Sequence, residues 1–207
     1  MEGALRECGS APGLKLIETL LWDGARAVRA DLHRTRMAAA AAALGWGGDA
    51  GRFAALARGE SGVPARLRLT LDGGGQMAVE RGAVPAPLAV WRVGMAGARL
   101  SSGDPWLRVK STRRAVYDTA RAALAPGLDE VVFLNERGEV CDGTITTLFF
   151  DRGQGLRTPP LSSGLLPGVL RAGMSVPEEV LMGEDLGRVR LWLGNSLRGL
   201  APAVWLG

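Results

Sequence analysis

Lys110 is the residue whose type and position most suggest chemistry. The chain contains 25 lysines and arginines, and Lys15 and Lys110 are the only lysines among them. A lysine amine can lose its proton and attack a carbonyl carbon, whereas an arginine guanidinium stays protonated. Most lysines are nevertheless ordinary surface charges, so composition alone favours that interpretation. A catalytic role for Lys110 therefore depends on which residues accompany it.

Asp142 is the first acidic residue to consider beside Lys110. It lies between Cys141 and Gly143 in a strand-like stretch, residues 140–150. A carboxylate in the interior of a sheet needs a cationic partner to offset its burial. The simpler alternative is that Asp142 faces solvent from a half-exposed strand.

Arg36 lies on a predicted helix and is a candidate for binding an anion. The helix covers residues 32–44, with Asp31 as a suitable N-cap and Gly45 as a suitable stop. Arg36 shares the predicted apolar face, whereas Arg34 points away from it. That face consists of Leu32, Arg36, Ala39, Ala40 and Ala43. An inward arginine needs an anion, either a carboxylate or a ligand phosphate, unless its side chain reaches back to solvent.

Two glycine-containing loops have groups that suit an anion. Gly168 and Val169 follow a proline and precede a predicted helix, where backbone amides are free to bind a phosphate. Asn195 and Ser196 follow an apolar strand and offer an amide and a hydroxyl. The phosphate-binding motifs GxGxxG and GxxxxGK[ST] are absent. Because the chain has 30 glycines, each loop alone is a weak signal.

The elements that must position these residues begin with a small α+β unit. Residues 14–22 have the pattern of a strand, and a turn at Asp23-Gly24 predicts a hairpin in which residues 25–30 return beside it. The other elements predicted in this part are a helix at residues 50–58 and strands at 65–71, 76–80 and 85–93. A stretch rich in glycine and serine, residues 94–104, is the best candidate for a linker.

The rest of the chain predicts a second α/β unit. Ser111 or Thr112 can cap a helix, and another helix should begin near residue 168. The predicted strands are residues 131–134, 140–150, 189–193 and 203–206. We therefore predict a small N-terminal domain at residues 1–95, a linker at 96–106 and a C-terminal domain at 107–207.

Composition excludes several classes of protein. With 47% hydrophobic and 22% charged residues, the chain is globular, and it has no apolar run long enough to span a membrane. Cys8 and Cys141 are far apart, so neither a disulfide framework nor a zinc site is expected. A single histidine leaves little for histidine-based metal sites or Ser-His-Asp catalysis. Because the cysteines indicate no disulfide framework, we expect a cytoplasmic location. The net charge of +4 is dispersed along the chain, so we expect no nucleic-acid partner.

Taken together and in this order, these segments resemble the fold-type IV pyridoxal-phosphate enzymes, the class IV aminotransferase family. That family includes branched-chain and D-amino-acid aminotransferases and 4-amino-4-deoxychorismate lyase. Residues 110–113 resemble the segment of its Schiff-base lysine, and residues 135–149 resemble its longest signature. The other similar segments are residues 16–20, 33–36, 158–161, 164–171 and 195–199.

The resemblance implies an α/β fold of two domains with the cofactor in the cleft between them, and a homodimer. Lys110 would hold pyridoxal 5'-phosphate as an internal aldimine and then act as acid and base. Asp142 stands where the family has a glutamate that keeps the pyridine nitrogen protonated, so that the ring serves as an electron sink. The residues implied to hold the phosphate are Arg36, Val169, Leu170 and Ser196, with Asn195 close by.

Within the family, the overall character of the C-terminal motifs favours a lyase that releases pyruvate and 4-aminobenzoate, a folate precursor, from a small-molecule substrate. The alternative is an aminotransferase acting on branched-chain or other amino acids with 2-oxoglutarate. A third possibility is a homologue that binds the cofactor without turnover. Asp142, one methylene shorter than glutamate, and Thr147, in place of the usual asparagine, keep that third possibility open.

Overall fold

A computed structural model describes residues 5–6, 9–47 and 50–207, which form two units of mixed α/β structure. The first unit contains the described residues up to Ala86 together with Val109–Arg113 and Ser196–Arg198. The second contains Pro87–Arg108, Arg114–Asn195 and Gly199–Gly207. The α/β class expected from the sequence is confirmed. Cys8, for which we expect no disulfide, lies outside the described residues.

The first unit contains a three-stranded antiparallel sheet in the order β1-β2-β3. Its strands are β1 (Lys15–Trp22), β2 (Ala65–Asp72) and β3 (Met77–Gly82). β1 pairs along its whole length with β2. At its other edge the predicted turn at Asp23-Gly24 forms, but residues 25–30 do not return as the predicted second strand, because a helix begins at Ala30. After β1, the Asp23 carboxylate accepts hydrogen bonds from the backbone amides of Ala25 and Arg26 and so turns the chain. Residues 25–30 then pair with β1 only through the Trp22–Ala27 bridge.

Two helices, α1 (Ala30–Leu44) and α2 (Ala50–Leu56), follow β1. Gly45 ends α1 with a φ of 74°, as predicted, but the residue before the helix is Arg29 and not Asp31. The buried face of α1 is His33, Met37, Ala41 and Leu44. The predicted face is therefore shifted by about one residue, and Leu32 is 36% exposed. An alanine-rich run gives too little contrast between faces to fix the phase of a helix.

The second unit contains a six-stranded sheet in the order β6-β5-β4-β9-β8-β7. Its strands are β4 (Trp91–Leu100), β5 (Glu130–Asn135), β6 (Val140–Gly143), β7 (Thr147–Asp151), β8 (Arg190–Asn195) and β9 (Gly199–Trp205). β4 runs parallel to β5 and β9, and the remaining pairs are antiparallel. The single strand predicted at residues 140–150 is two strands, β6 and β7.

The structure also differs from the prediction of a linker at residues 96–106. Residues 96–100 complete β4, which lies inside the six-stranded sheet, and Pro105–Arg108 form a 3-10 helix. The units change at residues 86 and 87 and not near 95. Gly94 is small for a packing reason, since a Cβ there would lie 2.7 Å from the Leu128 side chain. The glycine at this position therefore reflects a close contact with Leu128 and not a flexible segment.

Helices α3 (Ala115–Ala122) and α4 (Val169–Met174) belong to the second unit. Alternate residues of β5 pack into two different apolar clusters, so that Val132 joins one and Phe133 the other. Tyr117 of α3 meets Phe133 edge-on, with ring centroids 5.0 Å apart. Burial of both faces of β5 explains its uninterrupted apolar sequence. Within the described ranges, no helix is long and apolar enough to cross a membrane.

Candidate active site

The segment around Lys110 is held against the free edge of β1. The Lys110 carbonyl oxygen accepts a hydrogen bond from the Ile17 amide at 2.9 Å, and the Thr112 amide donates to the Lys15 carbonyl oxygen at 2.8 Å. Ser111 forms a β-bridge with Leu16. Lys110 is therefore positioned by the first unit, although we predicted residues 107–207 to form one C-terminal domain.

A chain of three buried polar side chains lies in the same unit. Nδ1 of His33 lies 2.5 Å from a Glu18 carboxylate oxygen, and Nε2 of His33 lies 2.8 Å from the Ser196 hydroxyl. Glu18 and His33 are each 1% exposed. The backbone carbonyl of Ser196 also receives a long contact, 3.5 Å, from the Arg29 guanidinium. Ser196, predicted as a phosphate ligand, is thus tied to α1 through His33.

The charges around His33 fix the protonation of this chain. Burial raises the pKa of Glu18, but the Arg36 guanidinium and the hydrogen bonds from Arg36 and His33 outweigh it and leave the pKa below its usual value. Burial lowers the pKa of His33, and the positive charges of Arg36 and Lys110 add to this, against the opposing effect of Glu18. Glu18 is therefore a carboxylate beside a neutral imidazole. Since a carboxylate only accepts hydrogen bonds, Nδ1 carries the imidazole proton.

Arg36 is directed inward, although the buried face of α1 is shifted by one residue from the face that we predicted for it. Its Nε and a terminal nitrogen donate to the two Glu18 oxygens at 2.8 and 2.6 Å, and its side chain is 12% exposed. Of the two anions that the sequence left open, the structure shows the carboxylate. A role for Arg36 in holding a phosphate stays a prediction.

Sequence analysis missed His33 and Glu18. A single histidine offers little for catalysis by itself, and the sequence around Glu18 indicates only a strand. One signal was available, because His33 and Arg36 are three residues apart and so lie on adjoining parts of one helix face. A second signal is that Glu18 is the only acidic residue in the largely apolar strand β1.

Asp142 lies on β6 in the second unit and is 6% exposed, which confirms an inward orientation. One of its oxygens accepts a hydrogen bond from the Leu166 amide at 3.2 Å, and the Tyr117 hydroxyl lies 3.5 Å from the other. Both of these donors are neutral. Burial, followed by the charge of Asp142, raises the pKa of Tyr117, so its hydroxyl keeps its proton. Tyr117 and Leu166 therefore orient the Asp142 carboxylate.

A second buried carboxylate, Glu130 on β5, organises the turn that comes after Asp142. It accepts hydrogen bonds from the Thr144 amide and hydroxyl at 3.1 and 2.5 Å, from the Ile145 amide at 3.2 Å and from the Thr146 hydroxyl at 3.1 Å. A Cβ at Gly143 would overlap the Thr146 hydroxyl oxygen. The turn between β6 and β7 is thus built around one acid that sequence analysis did not identify.

The predicted phosphate loop at Gly168 also belongs to the second unit. Val169 and Leu170 are the first residues of α4, so their amides have no acceptor within the helix. A Cβ at Gly168 would overlap the hydroxyl oxygen of Thr147, the residue that stands in place of the family's asparagine. Asn195, at the end of β8, donates from its side-chain amide to the Ile145 carbonyl oxygen at 3.1 Å.

The predicted site residues thus form two groups. The first unit brings Lys110, Arg36 and Ser196 around His33. The second holds Asp142, Val169, Leu170 and Asn195. The first group offers cationic and hydroxyl donors that suit an anion, and the second offers two backbone amides and a buried carboxylate.

Comparison with known proteins shows the family to which this chain belongs. The family model described as amino-transferase class IV matches residues 15–204. A protein from Mesorhizobium loti named as an amino-acid aminotransferase is 40% identical, with a TM-score of 0.87, and the match covers 93% of this chain and 100% of that one. A comparison with curated proteins gave no match.

Two other solved structures are more distant. A 4-amino-4-deoxychorismate lyase from Pseudomonas aeruginosa is 23% identical, with a TM-score of 0.75 over 96% of this chain and 85% of that one. A hypothetical aminotransferase from Mycobacterium tuberculosis, in a form that binds pyridoxal phosphate, is 23% identical, with a TM-score of 0.78 over 97% and 84% of the two chains. At this identity they show the fold alone.

Proposed function

Because the chain belongs to the class IV aminotransferase family, we propose that it binds pyridoxal 5'-phosphate through Lys110 and converts 4-amino-4-deoxychorismate to pyruvate and 4-aminobenzoate. Members of this family are pyridoxal-phosphate enzymes, and the fold-type IV resemblance seen in the sequence is confirmed by the match. The chain is therefore an enzyme of this class, and the homologue without turnover is set aside. The individual reaction is our proposal.

The residues present suit this cofactor. Lys110 offers a primary amine for the aldehyde, and Arg36 and Ser196 offer a guanidinium and a hydroxyl for the phosphate. Val169 and Leu170 offer two backbone amides, and Gly168 before them packs closely against the Thr147 hydroxyl. Asp142 offers a buried carboxylate for the pyridine nitrogen. Asn195 lies next to Ser196 in the sequence and supports the turn at Ile145.

The observation that carries the proposal is the attachment of the Lys110 segment to β1. Two backbone hydrogen bonds and the Leu16–Ser111 bridge fix the backbone from the Lys110 carbonyl to Thr112. A proton-transfer group works only when its position is fixed relative to the reacting atom. Lys15, the other lysine, is exposed on the same strand and serves as a natural comparison.

The bound cofactor supplies an electron sink for charge that develops at the substrate carbon. Lys110 would remove the proton from the amine-bearing ring carbon. The bond between the ring and the enolpyruvyl oxygen then breaks, and Lys110 would donate a proton to the methylene carbon of the departing enolpyruvate. Asp142 would keep the pyridine nitrogen protonated throughout. One proton leaves the ring and one reaches the product pyruvate, so the reaction needs no further reactant.

An aminotransferase is the second candidate, and the 40% identity to the Mesorhizobium loti protein favours it. It shares the first proton removal by Lys110. The two reactions diverge after that step, because an aminotransferase passes the amino group to an oxoacid and needs that second substrate.

One assay panel separates the two candidates. Purified protein supplied with pyridoxal phosphate is mixed with aminodeoxychorismate alone, or with amino-acid donors and 2-oxoglutarate. Pyruvate release without an oxoacid, lost in Lys110→Arg and kept in Lys15→Arg, supports the lyase. Turnover only with an oxoacid supports the aminotransferase. Absence of both activities in protein that has bound the cofactor would contradict the proposed reactions. The homodimer and the cytoplasmic location stay predictions.

A further inference from the structure

Ser196 has one hydroxyl proton and two groups that need it. His33 is a neutral imidazole with its proton on Nδ1, so its Nε2 accepts a hydrogen bond from Ser196 at 2.8 Å. A phosphate bound at Ser196 also requires a hydrogen-bond donor, because its oxygens only accept when the group is fully ionised. The Ser196 hydroxyl cannot donate to both.

We propose that His33 is a positioning residue that takes up one proton from solvent when a dianionic phosphate binds at Ser196, so that Nε2 donates to Ser196 and the hydroxyl proton turns to the phosphate. This inference rests on the proposed function, which brings the phosphate of pyridoxal phosphate to Ser196. It adds a role for His33 and Glu18, which are buried and have no part in the proposed reaction.

The hydrogen-bond chain admits this change without moving any heavy atom. Glu18 accepts from Nδ1 whether His33 is neutral or cationic, and the imidazolium form donates from both nitrogens. Ser196 then accepts from Nε2 with one lone pair and donates its proton outward. If Nε2 stayed unprotonated, the Ser196 hydroxyl would keep donating to it, and only the lone pairs of Ser196 would face the phosphate.

The charged groups around His33 favour this coupling. Glu18 on β1 attracts the added proton, whereas Arg36 on the same helix and Lys110 in the segment beside β1 oppose it. Arg29 adds a positive charge near the Ser196 carbonyl, 3.5 Å away. Without a phosphate the cations and burial keep His33 neutral. A dianion at Ser196 offsets these positive charges, so that its attraction and that of Glu18 favour protonation and burial alone still opposes it.

The order Glu18, His33, Ser196 is also that of a hydrolytic triad. In a triad the serine attacks after the histidine takes its proton, which requires an imidazolium in the presence of a neutral substrate. Arg36 and Lys110 disfavour that state, and Ser196 is 7% exposed. A role in holding an anion suits this arrangement better than a nucleophilic one.

The single histidine makes the proposal directly measurable. Tag-free protein labelled with ¹⁵N-histidine gives NMR signals from one imidazole only. The probe is 4'-deoxypyridoxine 5'-phosphate, which lacks the aldehyde and cannot react with Lys110. Near pH 7.5 we expect one protonated and one unprotonated nitrogen without the probe, and two protonated nitrogens at saturation. The matching compound without phosphate, 4'-deoxypyridoxine, should leave His33 neutral.

Two variants test the hydrogen-bond path. Ser196→Ala should bind the probe more weakly and keep His33 neutral at saturation, whereas Ser101→Ala, an exposed serine, should behave as the parent protein. His33→Gln should remove the proton uptake. Between pH 7 and 8.5, above the second pKa of the phosphate, the Kd of the probe should rise with pH for the parent protein more steeply than for His33→Gln. The difference between the two proteins should be about tenfold in Kd for each pH unit.

Each outcome decides the matter. A saturated complex in which His33 stays neutral, or a cationic His33 without the probe, would overturn this inference and leave the proposed function standing. Full protonation in saturated Ser196→Ala would overturn the hydrogen-bond path. A protein that binds neither this probe nor pyridoxal phosphate would overturn both the inference and the proposed function.

Discussion

Nε2 of His33 lies 2.8 Å from the hydroxyl of Ser196, although the two residues are 163 positions apart in the sequence. This contact joins a helix near the start of the chain to the loop after β8 and brings Ser196 into the unit that also holds Lys110. With Arg36 paired to Glu18 beside it, the unit contains the amine and the anion-binding groups that a pyridoxal-phosphate enzyme needs. The consequences can be measured residue by residue.

Replacing Asp142 by asparagine should abolish most activity and leave cofactor attachment intact. The neutral amide cannot stabilise a protonated pyridine nitrogen, and we expect kcat/KM to fall by at least about 10²-fold, as when one electrostatic stabiliser is removed. Steady-state kinetics with pyruvate detection would measure this. Asp142→Glu should recover much of the loss, whereas Asp118→Asn, an exposed acid paired with Arg114, should have little effect. Near-normal turnover of Asp142→Asn would show that another residue contacts the nitrogen.

Replacing Glu130 by alanine should destabilise the second unit. Four hydrogen-bond donors of residues 144–146 would lose their acceptor in a fully buried place, and we expect a loss of about 3 kcal/mol in the free energy of unfolding. Glu80→Ala, which removes an exposed partner of Arg66, should cost less than about 1 kcal/mol. Urea denaturation of both variants would measure the difference. Equal losses would contradict a special role for Glu130.

Gly168→Ala should weaken the loop that precedes α4, because the added Cβ overlaps the Thr147 hydroxyl oxygen. We expect a loss of about 1–3 kcal/mol in stability and weaker binding of pyridoxal phosphate. Thr147→Ala removes the overlapping oxygen, so the double variant should be more stable than Gly168→Ala alone. Gly97→Ala is the control, since nothing lies within 4 Å of a Cβ there. Thermal unfolding and cofactor titration would measure these effects, and no gain in the double variant would place the strain elsewhere.

The stability of the protein without cofactor should depend on His33 in mildly acidic solution. Burial lowers the pKa of His33 in the folded state below its usual 6.5. The unfolded chain therefore binds a proton first as the pH falls, so the stability present above pH 6.5 is lost below it. The slope contributed by this one group is at most about 1.4 kcal/mol per pH unit. Urea denaturation between pH 5.5 and 7.5 should show this slope in the parent and not in His33→Gln, and parallel curves would contradict it.

Local signals in the sequence predicted some elements well and others poorly. Gly45 ends α1 as predicted, and β2 and β5 lie where alternating or continuous apolar residues indicated. The phase of α1 was wrong because alanines on every face leave no apolar asymmetry. Residues 96–100, which we assigned to a linker, complete β4, and Gly94 in the same strand accommodates the Leu128 side chain, a contact that no local pattern contains.

The candidate site shows the same limit. Lys110 and Asp142 could be chosen from residue type and motif, since each stands out among its neighbours. The contacts of His33 with Glu18 and Ser196 depend on tertiary packing, so neither composition nor spacing could reveal them. The assignment of residues 109–113 to the first unit likewise depends on backbone hydrogen bonds to β1.

The central claim is that Lys110 is the residue to which the cofactor binds covalently, and the most direct test is chemical labelling. Protein mixed with pyridoxal phosphate is reduced with borohydride, digested and analysed by mass spectrometry. We predict a phosphopyridoxyl label on the peptide that contains Lys110, in the parent protein and in Lys15→Arg, and its loss in Lys110→Arg. A label confined to Lys15, or no label in folded protein saturated with pyridoxal phosphate, would contradict the account.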